Sequence, residues 1–284
     1  MTEPDLALAC RLVKACHCMY NLDAGFAADP FFPQVGFTAP PAHIEVNDLG
    51  VDACLIGAIA DVAVLAFRGT LLPLVDQHAA KRALDWVNDF NLALVPVDGL
   101  PGKVHAALGR STHLLWPHIL PVIQELTRNG TPLIMTGHSK GAVLACYAAL
   151  RLAQAGINVA AVYTFGSPRV GNAEFARAYG EAIRVHWRYE SYDDIFPHLP
   201  PSVGMREILA LLDPGLATHA LDEYEDVGTL QYIDWDGSIK GDSPGLEQKR
   251  LAHLGQTIFT GQFERFFDNH WIPTGFAPVL CKDQ

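Results

Sequence analysis

A serine with glycine two residues away on either side, Gly137-His138-Ser139-Lys140-Gly141, stands between the apolar run Leu133-Ile134-Met135 and a helical-looking stretch over 142–150. A strand that turns abruptly into a helix at such a pentapeptide leaves its serine at the tip of a strained turn. The hydroxyl is then exposed at the carboxyl edge of a sheet, and neighbouring N–H groups point at it from a helix N-terminus. The chemistry this permits is nucleophilic acyl transfer. Gly137 and Gly141 have a steric part in it, because a Cβ at either would strike the neighbouring strand or helix.

A serine hydroxyl is a poor nucleophile until a histidine takes its proton, and that histidine needs a carboxylate to fix its tautomer and stabilise the imidazolium. For a strand-turn-helix serine the chain order is serine, acid, histidine. Glu190-Ser191-Tyr192-Asp193-Asp194-Ile195-Phe196-Pro197-His198 begins at the end of a downstream strand-like run and offers two aspartates. Of the twelve histidines, five follow the serine. His186 precedes the acid, and His198 is too near it in sequence to arrive from a separate loop. His219, His253 and His270 remain.

The elements that must position these groups alternate in type. Residues 6–22 carry Leu6, Ala9, Cys10, Val13 and Cys16-His17 at helical spacing, a lead-in helix whose apolar face reads as packing. Residues 51–60 and 61–67 are β-rich runs meeting at an Ala-Asp turn, and 71–84 reads as an insertion ending just before Trp86. Residues 104–129 predict a long helix interrupted around Pro117 and Pro121, and 159–165 and 183–189 predict the next strands after the serine. This alternation implies a mostly parallel sheet covered on both faces, with the site at the carboxyl ends of the strands.

Half of the 284 residues are hydrophobic, enough for one large core and a single α/β domain over 1–284. A net charge of −11, with basic residues scattered, argues against nucleic acid and against durable binding to anionic lipid. A small neutral substrate fits better. Met1-Thr2-Glu3-Pro4-Asp5 lacks the basic start and apolar run of a secretory signal, and no stretch reads as a transmembrane helix. The expectation is a cytoplasmic chain, or a secreted one if a leader has been removed. Six cysteines are too spread for a zinc ribbon or a dense disulfide scaffold. Cys54 and Cys146 read as buried thiols, and a link from Cys10, Cys16 or Cys18 to Cys281 stays open.

Five blocks in order resemble the successive signatures of the fungal-type class 3 lipases, a family of the α/β-hydrolase superfamily that also contains feruloyl esterases. They are Phe67-Arg68-Gly69-Thr70, Gly102-Lys103-Val104-His105, Thr136-Gly137-His138-Ser139-Lys140-Gly141, Tyr163-Thr164-Phe165-Gly166-Ser167-Pro168-Arg169-Val170-Gly171-Asn172, and Asp194-Ile195-Phe196-Pro197-His198-Leu199-Pro200-Pro201. The resemblance runs from about residue 60 to the C-terminus and implies an α/β-hydrolase fold with lid and cap insertions at 71–85 and 202–222. It implies that the acid is Asp194, with Asp193 its neighbour, and that the base is His270, in the aromatic-rich run Phe267-Asp268-Asn269-His270-Trp271. His253 then falls on a charged helix surface and His219 behind an inserted helix.

The resemblance also implies an oxyanion hole made by the N–H of Lys140 and by Thr70, with Asp89, three residues after Trp86, orienting the Thr70 hydroxyl. Leu71, Leu72, Leu74, Val75 and Trp86 would line a lid. The chain departs from the family in three ways. Lys140 stands where leucine is usual and adds a charge near the site. Asp226 stands where histidine is common, and the segments 202–222 and 246–267 are long. The expected activity is carboxylic-ester hydrolysis, as a triacylglycerol lipase working through an acyl-enzyme without metal or cofactor, at a transient lipid-water interface. The alternatives are an esterase of soluble or aromatic esters and a catalytically silent member that binds lipid or a partner.

Overall fold

Continuous apolar runs rather than alternating ones mark the central strands, as a sheet buried on both faces requires. A computed structural model describes residues 3–22, 24–46, 52–70, 93–200 and 224–282. The expected lid insertion 71–85, the adjacent Trp86 and Asp89, His219 and the expected cap insertion 202–222 lie outside them.

The strands are β1 (Ala42–Val46), β2 (Asp52–Ile59), β3 (Val62–Phe67), β4 (Leu94–Val97), β5 (Leu100–His105), β6 (Leu133–His138), β7 (Val159–Phe165), β8 (His186–Ser191), β9 (Thr229–Ile233) and β10 (Ile239–Lys240). The helices are α1 (Leu6–Cys18), α2 (Phe32–Val35), α3 (Ala106–Thr127), α4 (Lys140–Gln154), α5 (Ala173–Ala182), α6 (Leu246–Phe259), α7 (Glu264–His270) and α8 (Ala277–Leu280). Eight strands form one sheet in the order β1-β2-β3-β6-β7-β8-β9-β10, while β4 and β5 make a separate hairpin. From β3 through β9 neighbouring strands run parallel, and β1, β2 and β10 add antiparallel edges. This is the α/β-hydrolase fold.

Side-chain alternation sorts each strand between two cores. Leu65 and Phe67 of β3, with Cys54, Ile56, Leu133, Met135 and Val162, pack against α3, α4 and α5. Val64 and Ala66, with Leu55, Ile134, Ala161 and Tyr163, face the other way onto α1 and the segment Ile272 to Leu280. Each fully buried apolar side chain contributes roughly 1.5–3 kcal/mol, so both layers are needed to hold the sheet.

Helix α3 runs unbroken through Pro117 and Pro121, where the sequence predicts an interruption. The prolines are four residues apart on its exposed face, where water can hydrate the carbonyls they leave without a donor, while Leu115, Ile119 and Ile123 hold the opposite face in the core. The long segment 246–267 holds α6 and the start of α7, separated where Gly261 takes a φ of 69°.

Cys10 on α1 is disulfide-bonded to Cys281, just after α8, and closes a loop of 271 residues. Cys16, Cys18, Cys54 and Cys146 are buried free thiols. A cross-link of this span removes much chain entropy from the unfolded ensemble. Replacing both cysteines by alanine is expected to lower stability by about 2–5 kcal/mol, read from urea unfolding by fluorescence. An unchanged midpoint would show that the link constrains little.

Candidate functional site

Ser139 takes a φ of 56° with ψ −129°, between the end of β6 and the start of α4. Such a backbone costs of order 1–3 kcal/mol and persists only where its surroundings impose it. Its N–H donates to the Phe165 carbonyl at 2.9 Å, and its own carbonyl accepts from Ala142 N at 2.9 Å. The flanking glycines are sterically obligatory. A Cβ on Gly137 would lie 2.1 Å from the Gly141 carbonyl oxygen, and one on Gly141 would lie 2.5 Å from the Phe67 carbonyl oxygen.

Asp194 follows β8 and is 2% exposed. Its Oδ1 accepts from Phe196 N at 2.9 Å, and its Oδ2 lies 2.7 Å from Nδ1 of His270, the last residue of α7. Nδ1 therefore carries the hydrogen, and Nε2 is left as the basic nitrogen. Nε2 is buried and has no hydrogen-bond partner among the described residues. The His270 ring stacks on Phe196 with centroids 3.9 Å apart, which fixes its plane. Gly166, with a φ of 57°, makes room for the pair. A Cβ there would sit 2.8 Å from the His270 ring and 2.9 Å from Asp194 Oδ2.

The neighbouring aspartate has a different task. Asp193 accepts from Thr257 Oγ1 at 2.6 Å and pairs with Arg265 at 3.3 Å, so it pins α6 and α7 rather than the imidazole. His253 lies half-buried on α6, its ring 6.4 Å from that of Trp235.

One pocket is lined by Ser139, His270 and Thr70 together with Tyr20, His138, Phe267 and Trp271. The Thr70 hydroxyl is buried and has no partner among the described residues. Asp89, expected to orient it, lies outside them. Nothing in the sequence marks Tyr20 as a site residue. The helical spacing of residues 6–22 assigns α1 to packing, and nothing local marks the first residues beyond it as lining a site over a hundred residues away.

The charge expected of Lys140 does not stand alone beside the serine. Its Nζ lies 2.7 Å from Asp52 Oδ1 at the start of β2, with both side chains buried. Burial lowers the pKa of the amine, and Asp52 opposes that shift. Asp226 stands 3.9 Å from both Arg169 and Arg188, so a carboxylate faces two guanidinium groups at this position.

Among the described residues no helix is long and apolar enough to cross a membrane, and no three metal-ligating side chains are grouped to hold an ion.

The family model described as lipase (class 3) matches residues 64–204. Phospholipase A1-II 3 of Oryza sativa subsp. japonica is 27% identical over 250 residues, covering 74% of this chain and 56% of that protein. Secreted mono- and diacylglycerol lipase 1 of Fusarium solani is 33% identical over 176 residues, 60% of this chain and 51% of that protein. The chain thus spans about half the length of these curated relatives. Among solved structures, a fungal lipase superposes with a TM-score of 0.66 at 19% identity, covering 96% of this chain and 97% of its own. A triacylglycerol lipase described as having a serine-protease triad gives a TM-score of 0.65 at 18% identity, covering 88% and 91%. At such identities the superpositions bear on the fold alone.

The buried Lys140–Asp52 pair yields a stability prediction. Asp52→Asn withdraws the carboxylate that offsets a buried ammonium and is expected to destabilise the fold by about 3 kcal/mol or more. Adding Lys140→Met to the same chain should restore most of that loss. Equal denaturant midpoints for the single and double variants would contradict the pairing.

Proposed function

Because the chain belongs to the class 3 lipase family of α/β-hydrolases, we propose that it hydrolyses lipid carboxylic esters, triacylglycerols foremost, through a triad of Ser139, His270 and Asp194. The observation that carries this reading is the state of the His270 imidazole. One nitrogen is committed to a buried aspartate at 2.7 Å, and the other has no partner among the described residues in the pocket that Ser139 lines.

In this mechanism Ser139 Oγ attacks the ester carbonyl carbon while His270 Nε2 takes the hydroxyl proton. The imidazolium is stabilised by Asp194. Negative charge on the carbonyl oxygen is met by the backbone N–H groups of Thr70 and Lys140, each donor of this kind being worth roughly 10²–10³ in rate. Collapse of the tetrahedral species breaks the ester C–O bond, and the alcohol leaves with the proton from His270. Water then attacks the acyl-serine, giving its proton to His270, and Ser139 is regenerated as the acid departs.

Similarity to a rice phospholipase A1 supports phospholipid as a second substrate reading. Parallel assays on trioleoylglycerol emulsions, phosphatidylcholine vesicles and dissolved p-nitrophenyl esters distinguish the two from a soluble esterase. Turnover confined to the dissolved esters would overturn the lipolytic assignment.

For the triad, Ser139→Ala and His270→Ala are each expected to lose about 10⁴–10⁶ in kcat, whereas His253→Ala keeps near-normal turnover. Asp194→Asn is expected to lose about 10⁴. Asp193→Asn should lower the unfolding temperature with little change in kcat, since its carboxylate holds Thr257 and Arg265. More than a few per cent residual activity in purified Ser139→Ala, or the reverse order for the two aspartates, would defeat these roles.

A further inference from the structure

Tyr20 and His138 form a hydrogen-bonded connection that the mechanism above does not use. His138 is 1% exposed, and its Nε2 lies 2.7 Å from the backbone carbonyl of His270. A carbonyl only accepts, so Nε2 carries the hydrogen and donates it. On the opposite side of the ring, Nδ1 lies 2.8 Å from the Tyr20 hydroxyl. Burial, reinforced by the neighbouring His270, holds the His138 pKa well below the ordinary imidazole value. Nδ1 of the neutral ring is then a bare acceptor, and the Tyr20 O–H donates to it.

The connection therefore runs in one sense, from Tyr20 O–H to His138 Nδ1 and from His138 Nε2–H to His270 C=O. Hydrogen bonds aligned in this way polarise one another in a low dielectric. Its two ends are the Tyr20 hydroxyl, packed against the backbone just before Thr70, and the last carbonyl of α7, where helix carbonyls run out of internal donors. The middle residue is the immediate neighbour of the nucleophile. Gly69 shows how closely the junction is packed. A Cβ there would fall 2.1 Å from the Tyr20 hydroxyl, 2.7 Å from the His138 carbonyl oxygen and 2.9 Å from Ser139 Cβ. Tyr20 also packs edge-on against Trp271, with ring centroids 5.0 Å apart, next to the base in sequence.

We propose that Tyr20 and His138 are positioning residues: the tyrosine hydroxyl, acting through the His138 ring, registers the backbone of His270 against the strand end that carries Thr70. The proposal rests on the acyl-transfer reading of Ser139 and adds to it a specific task for the lead-in helix, α1. That helix is held from behind by the Cys10–Cys281 link, so Tyr20 is delivered from a fixed support. Small misplacements of base and oxyanion donors are costly to rate, a shift of 1 Å being worth up to about 100-fold.

The test is a double-mutant cycle read by kcat and KM for a dissolved short-chain p-nitrophenyl ester, together with the rate of Ser139 phosphonylation by a fluorophosphonate. Tyr20→Phe keeps the ring packing and removes only the hydroxyl. It is expected to lower kcat and the phosphonylation rate about tenfold, with KM and unfolding temperature nearly unchanged. His138→Gln keeps an N–H donor for the His270 carbonyl but has no Nδ1. In that background Tyr20→Phe should change kcat by less than about twofold, because the hydroxyl has nothing left to act through. A Tyr20→Phe protein with more than half of wild-type kcat, or losses that multiply across the cycle, would overturn the proposal.

A ring ¹⁵N NMR measurement on the unmodified protein tests the same connection without any variant. His138 is expected to be neutral and Nε2-protonated at neutral pH, and a cationic or Nδ1-protonated ring there would also overturn it. Failure of the fluorophosphonate to label wild-type Ser139 is a separate outcome. It would overturn the acyl-transfer reading itself and the catalytic task proposed for Tyr20 with it.

Discussion

The close approach of three backbones at the serine turn is the constraint on which the rest of the structure depends. β6 must end against the start of α4, and α4 must start against the end of β3. Both contacts are shorter than any Cβ allows, so Gly137 and Gly141 are fixed by sterics before chemistry is considered. The positive φ of Ser139 is the strain this geometry carries. It is imposed by a sheet whose central strands are buried on both sides and by a helix whose first two turns lie wholly in the core. A looser support would let the turn relax and withdraw the hydroxyl from the strand edge.

Two more close approaches complete the site by the same means. Gly166 leaves the space that the His270 and Asp194 side chains fill, and Gly69 leaves the space that the Tyr20 hydroxyl fills. In each case a glycine at the carboxyl end of a strand lets a polar side chain from a distant segment reach the serine. Function at this strand edge is thus built by subtraction, with side chains omitted from the sheet so that others can enter.

Charges buried around the site are met locally, which keeps the pocket from being dominated by any one of them. Lys140 meets Asp52, and Asp193 meets Arg265 and Thr257. Glu190 on β8 is held between Arg188 and Arg250, which ties the strand leading to Asp194 to helix α6. These pairs have large desolvation costs and small net gains. The pairs of Asp193 and Glu190 fix the loop after β8 in one place, and the position of Asp194 depends on that loop.

Elements whose signal is local are legible in the residues themselves. The run from Leu133 to Gly141 contains its strand, its turn and its helix start in consecutive residues, and the alternation of such units implies a parallel sheet. The two glycines of the turn could be assigned a steric reason from spacing alone. Tertiary structure decided what depends on distant segments. The residues alone left two aspartates and three histidines open, because choosing among them requires knowing which side chain crosses from α7 to the end of β8. Nor did spacing show that Lys140 would meet Asp52, since 88 residues separate them and only the pairing of β2 with β3 and of β3 with β6 brings them together. Helix α1 reads as packing because amphipathic periodicity reports which face is buried and says nothing of what the helix delivers at its end. Tyr20 reaches the site through that end, across a fold whose termini are joined by a disulfide. Local pattern fixes conformation over a few turns of chain, whereas the site is an agreement among segments far apart in sequence about one strand edge, and only the packed sheet enforces it.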